Sequence, residues 1–131
     1  MQVSDAMTST VLTIGPGHTL RQAAREMSSR RVGAAVVLDP DQPGPGIFTE
    51  RDLLESVGAG EDPDTALVGA HLSPNAQAAA PDWSLEEAAA LMVRAGFRHL
   101  VVSDVGETVG VVSMRDIVRV WAGVDHPSPM R

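Results

Sequence analysis

The chain contains no cysteine, no lysine and no tyrosine. Without thiols there is no disulfide, thiolate zinc site or cysteine nucleophile, and a reducing compartment is compatible with the chain. Without lysine there is neither Schiff-base chemistry nor a P-loop lysine, and all ten basic residues are arginines. Aromatic residues make up 3% and the formal net charge is −7. Such a chain offers neither stacking platforms nor a basic face, so nucleic acid is not expected as a direct partner. No apolar stretch approaches the roughly 20 residues that cross a bilayer, and the opening MQVSDAMTST lacks a basic region followed by an apolar run. The expectation is a cytoplasmic protein without membrane insertion. Its 131 residues, 44% of them hydrophobic, suffice for a sizeable core.

Catalytic constellations are equally scarce. His18, His71, His99 and His126 lack metal-ligand spacing, and there is no HExxH, GxSxG or paired catalytic carboxylate. No catalytic residue, metal site or required cofactor is expected, and the chain does not read as an enzyme. Gly-Pro-Gly at residues 15–17 and 44–46 reads as turn sequence, and the acidic run Glu61, Asp62, Asp64 as a solvated linker.

What the chain does contain is one motif used twice. GIFTERDLL, from Gly46 to Leu54, returns as GVVSMRDIV, from Gly110 to Val118. Each reads as a short buried strand running into a helix, with Thr49 and Asp52, or Ser113 and Asp116, at the junction. A hydroxyl followed three residues later by an acid is a variant capping box. The same corner also suits a nucleotide: N–H groups at a helix start favour an anion, and a carboxylate one turn in can accept hydrogen bonds from a ribose diol. The two roles are compatible, since a capping hydroxyl still has a proton to donate.

The repeat extends over most of the chain. VSDAMT at Val3–Thr8 corresponds to VGAHLS at Val68–Ser73, and VLTI at Val11–Ile14 to the weaker Ala76–Ala79. Helices follow at Thr19 and Ser84, opened by capping boxes with Gln22 and Glu87. Their apolar stripes are Leu20, Ala23, Ala24, Met27 and Leu85, Ala88, Ala89, Met92. Val32–Leu38 and Phe97–Ser103 read as strands joined to the motif strands by hairpin loops, DPDQPGP and DVGETV. The expected fold is therefore α/β (α+β): two pseudo-twofold-related β-α-β-β-α units packed through their sheets, with a cleft on each side. Residues 1–60 form the first motif, 61–67 a linker, 68–122 the second motif and 123–131 a tail. Arg98 and His99 stand where a strand begins and are matched in the first half by Gly33 and Ala34. Arg98 reads either as an anion contact or as a charge near a helix C-terminus.

Taken together, VSDAMTSTVLTIGPGHTLRQAAREM, VGAAVVLD and GIFTERDLL, then SLEEAAALM, GFRHLVVSD and GVVSMRDIV, resemble a tandem pair of cystathionine β-synthase (CBS) domains, a Bateman module. The resemblance covers Val3 to about Ala122. It implies adenosine-ligand sites in the clefts, with Thr49 and Ser113 contacting phosphate, Asp52 and Asp116 holding ribose hydroxyls, and Arg98 and His99 approaching phosphates. The implied ligands are AMP, ADP, ATP or S-adenosylmethionine. It further implies a homodimer, with the alanine-rich helix at Ala88–Ala90 suited to close packing, and a regulator acting on a protein target in trans. The alternative is a ligand-independent interaction module in which the corners are only helix caps. Because Arg98 and His99 accompany Ser113 and Asp116, the second-half corner is expected to fill first.

Overall fold

The computed structural model describes residues 1–73 and 76–123. The tail expected over 123–131, His126 included, lies outside the described residues from position 124 on. Two compact units emerge, one built from Leu12–Ala76 and the other from Met1–Val11 with the chain from Gln77 onward.

In the Leu12–Ala76 unit, β1 (Thr13–Ile14) runs parallel to β2 (Ala34–Val37), which pairs antiparallel with β3 (Gly46–Thr49). Helices α2 (Leu20–Arg30) and α3 (Glu50–Gly58) complete it, and a single 3-10 turn covers Val68–Ala70. The other unit repeats this: β4 (Ala78–Ala79) parallel to β5 (His99–Asp104), β5 antiparallel to β6 (Glu107–Ser113), with α4 (Leu85–Ala95) and α5 (Met114–Trp121). A four-residue helix, α1 (Val3–Ala6), belongs to this unit. The expected strand-helix-strand-strand-helix order holds in both.

The expected helix starts also hold. Thr19 and Gln22, and Ser84 and Glu87, close reciprocal capping boxes. The stripes bury Leu20, Ala23 and Met27 on α2 and Leu85, Ala88 and Met92 on α4, each into its own unit's core. Trp83 packs on the same core as α4.

Three features differ from the expectations. First, β6 begins at Glu107, because Val105 (φ 51°) and Gly106 (φ 81°) turn the chain in two residues. Two consecutive positive φ values match the right-handed twist of a hairpin, so the strands extend into what reads as a loop. Second, of Ala88–Ala90 on α4, Ala88 is buried and Ala89 packs against the unit's own core, which leaves Ala90 exposed. Third, the acids read as a solvated linker are exposed as expected but are also engaged. Glu61 accepts a hydrogen bond from the buried Ser56 hydroxyl at 2.8 Å and lies 2.6 Å from His71 Nε2. Asp62 accepts from the Asp64 N–H at 2.9 Å, and Asp64 pairs with Arg21. The Arg21 hydrogen bond holds the Asp64 carboxyl below its usual range.

The heads of the two repeats are exchanged. The first head docks on the body of the second repeat: Val3 N–H donates to Trp83 O, and Thr8 exchanges two backbone hydrogen bonds with Val111 at 2.8 and 3.0 Å. The second head docks on the first body, with Val68 N–H donating to His18 O and Ser73 exchanging two bonds with Ile47. Val3 and Val68 are each fully buried in the core they join. These crossings explain the motif glycines. A Cβ on Gly46 would stand 2.7 Å from Leu72 Cδ1, and one on Gly110 would stand 2.7 Å from Met7 Sδ.

Candidate functional site

Each motif delivers its hydroxyl and its carboxylate to one corner. Thr49 ends β3 in extended backbone and caps α3, while Ser113 ends β6 and caps α5 in the same geometry. Asp52 and Asp116 are the third residues of their helices, so their carboxylates fold back onto the cap N–H groups, Thr49 N–H to Asp52 at 2.8 Å and Ser113 N–H to Asp116 at 2.9 Å. The capping reading is thus realised in both corners.

The corners differ in what remains available. In the first, the Thr49 hydroxyl accepts the Asp52 N–H at 3.3 Å and spends its proton on Asp52 Oδ2 at 3.0 Å. In the second, the Ser113 hydroxyl accepts the Asp116 N–H at 3.0 Å, and its proton has no acceptor among the described residues. Only Ser113 keeps a donor for a ligand oxygen.

The register of β5 and β6 sets His99 directly opposite Ser113, and Arg98 O accepts the Met114 N–H at 2.9 Å. The structure therefore gathers Arg98, His99, Ser113 and Asp116 at one end of one sheet. Arg98 is exposed, and His99 is partly buried and already engaged. In the other unit Ala34 stands opposite Thr49, with Gly33 beside it. Arg98 follows the close of α4, whose left-handed C-cap is Gly96, and belongs to the strand start rather than the helix end.

One residue of the second corner escapes motif reasoning. Arg119, one turn beyond Asp116, donates through Nη2 to Asp116 Oδ1 at 3.3 Å and to Ala6 O at 3.4 Å. Its side chain is 9% exposed and its Nε is buried without a partner among the described residues. Position by position comparison of the repeats signals it, because its counterpart, Glu55, has the opposite charge.

The CBS domain profile matches twice, at residues 3–59 and 68–123. The chain belongs to the CBS domain family. It is a tandem pair of these domains, as the resemblance implied. The CBS domain-containing protein YhcV of Bacillus subtilis is 34% identical over 116 residues, covering 88% of this chain and 81% of YhcV. A CBS domain protein from Pyrobaculum aerophilum, solved in complex with AMP, superposes with a TM-score of 0.78 at 28% identity, covering 95% of this chain and all of that one. The hexameric CBS-CP12 protein of bloom-forming cyanobacteria reaches a TM-score of 0.85 at 27% identity, over 90% of this chain and 66% of its own. Among the described residues, no helix is long and apolar enough to cross a membrane.

Proposed function

We propose that this CBS pair is a non-catalytic sensor that binds an adenosine-type ligand at its S/T-x-x-D corners and regulates a protein partner in trans. The observation that carries the reading is the pair of corners, each presenting a hydroxyl, a first-turn carboxylate and a helix N-terminus in one geometry. AMP in the Pyrobaculum relative supports the ligand class. Six residues are assigned to binding: Thr49, Asp52, Arg98, His99, Ser113 and Asp116. AMP, ADP, ATP and S-adenosylmethionine are the ligands to test by thermal shift. One of them at 100 times its dissociation constant is expected to add about 2.7 kcal/mol, a shift of several degrees. If none moves the transition, the corners serve only as caps and the chain is an interaction module.

A homodimer accompanies this reading, and we place its surface on α3 and α5, a placement supported by their exposed apolar side chains. Leu54 and Val57 on α3 are 72% and 51% exposed, and their repeat counterparts on α5, Val118 and Trp121, 53% and 52%. Both helices thus present an apolar pair one turn apart, and burial of such pairs against a second copy is favourable. Light scattering at micromolar concentration is expected to give the mass of a dimer or a multiple of it. A monomeric mass would refute the assignment.

A further inference from the structure

The two corners share a motif but carry opposite charge. Around the first, Glu50, Asp52 and Glu55 stand with two cations, Arg31 and Arg51, net −1. Around the second, Arg98, Arg115 and Arg119 face the single carboxylate Asp116, net +2. Arg51 is itself 3.7 Å from Glu55, at the exposed end of α3. Glu50 opens α3 and lays its carboxylate over Gly33, where a Cβ would stand 3.3 Å from Oε2. An acid thus covers the place that Arg98 holds in the other unit. Arg31, the other cation, is already engaged.

Arg119 adds an observation independent of the helix start. A guanidinium has five N–H donors, yet this one is nine-tenths buried with two long hydrogen bonds from Nη2 and an orphan Nε. Leaving buried donors unsatisfied is unfavourable, and the deficit is relieved when an anion arrives beside them. Ser113, with its unspent proton, caps the same helix, and Asp116 stands between the two along the chain.

We propose that the corners sort ligands by charge: the Ser113–Asp116 corner takes phosphate-bearing adenosine ligands with Arg119 as a specificity-determining residue, and the Thr49–Asp52 corner takes uncharged or cationic ones, Glu50 keeping phosphate out. This rests on the adenosine-binding reading above. A phosphate approaching the first corner meets carboxylates and no spare hydroxyl proton. At the second it meets a cation whose burial shields it from the screening that weakens exposed charges.

The test is calorimetry on the full chain with two probes that differ only in charge, AMP and adenosine. The wild type is expected to bind one equivalent of AMP tightly, and Asp52→Asn to leave that event in place. Arg119→Gln is expected to lower the AMP-to-adenosine affinity ratio about tenfold, the equivalent of one charged contact, and Arg119→Lys to restore part of it. If Arg119→Gln does not fold, the exposed Glu50→Gln decides, since it should strengthen a second AMP event by several-fold. An AMP-to-adenosine ratio unmoved by these substitutions, or a tight AMP event abolished by Asp52→Asn, would overturn the proposal and leave the adenosine reading standing. Failure of the wild type to bind either probe would overturn both.

Discussion

Asp116→Ala is expected to lower the unfolding free energy by about 3–5 kcal/mol, against about 1 kcal/mol for the equivalent Asp52→Ala. Both substitutions remove the carboxylate that accepts the cap N–H, at 2.9 Å from Ser113 and 2.8 Å from Thr49. Only Asp116 has a second duty. It is the sole carboxylate partner of Arg119 among the described residues, and the two side chains are 9% and 16% exposed. Removing one member of a buried ion pair strands the other charge, which costs more than the pair contributes while intact. Urea denaturation of the two variants measures the difference. Equal costs would show that Arg119 finds water or another acceptor. The double variant Asp116→Ala with Arg119→Met is expected to recover much of the loss, because a long apolar side chain in the same volume leaves no charge to strand. For ligand binding, Asp116→Asn is the cleaner probe, since it keeps an acceptor for the Arg119 guanidinium.

The second large effect is expected at a glycine. Gly110→Ala should cost about 3 kcal/mol, the upper end of the range for an overpacked site, and Gly46→Ala about 1 kcal/mol. A Cβ at Gly110 would meet Met7 Sδ at 2.7 Å and the Thr8 carbonyl oxygen at 2.9 Å. The sulfur can swing aside on its flexible side chain. The carbonyl cannot, because it accepts the Val111 N–H at 3.0 Å and its retreat would undo the pairing that docks the first head. At Gly46 the nearest atom is Leu72 Cδ1 at 2.7 Å, while the Ser73 carbonyl oxygen stands back at 3.2 Å. Thermal unfolding of the two variants checks the order. A Gly110→Ala protein as stable as the wild type would mean that the head is loosely held.

What the sequence determined alone is what short-range interactions specify. The four capping boxes at Thr19, Thr49, Ser84 and Ser113 each close between residues three apart, so their spacing in the sequence is already their geometry. The repeat fixed the element order and placed Arg98, His99, Ser113 and Asp116 at one junction, because strand and helix periodicities carry a residue's face along the chain. Tertiary structure decided the rest. No local pattern tells that Val3 docks on Trp83 rather than on its own half, or that the motif glycine is small to let a distant head cross over it. The strand after the Val105–Gly106 turn starts three residues earlier than the motif implies, since pairing across β5 and β6 outweighs the weak strand propensity of Glu107. The difference between the corners has the same origin. Arg119 and Glu55 are legible as opposite charges at equivalent positions, but only the packing of α1, which brings Ala6 O within 3.4 Å of the guanidinium, turns Arg119 from a surface charge into a buried one. Burial depends on what arrives from elsewhere in the chain.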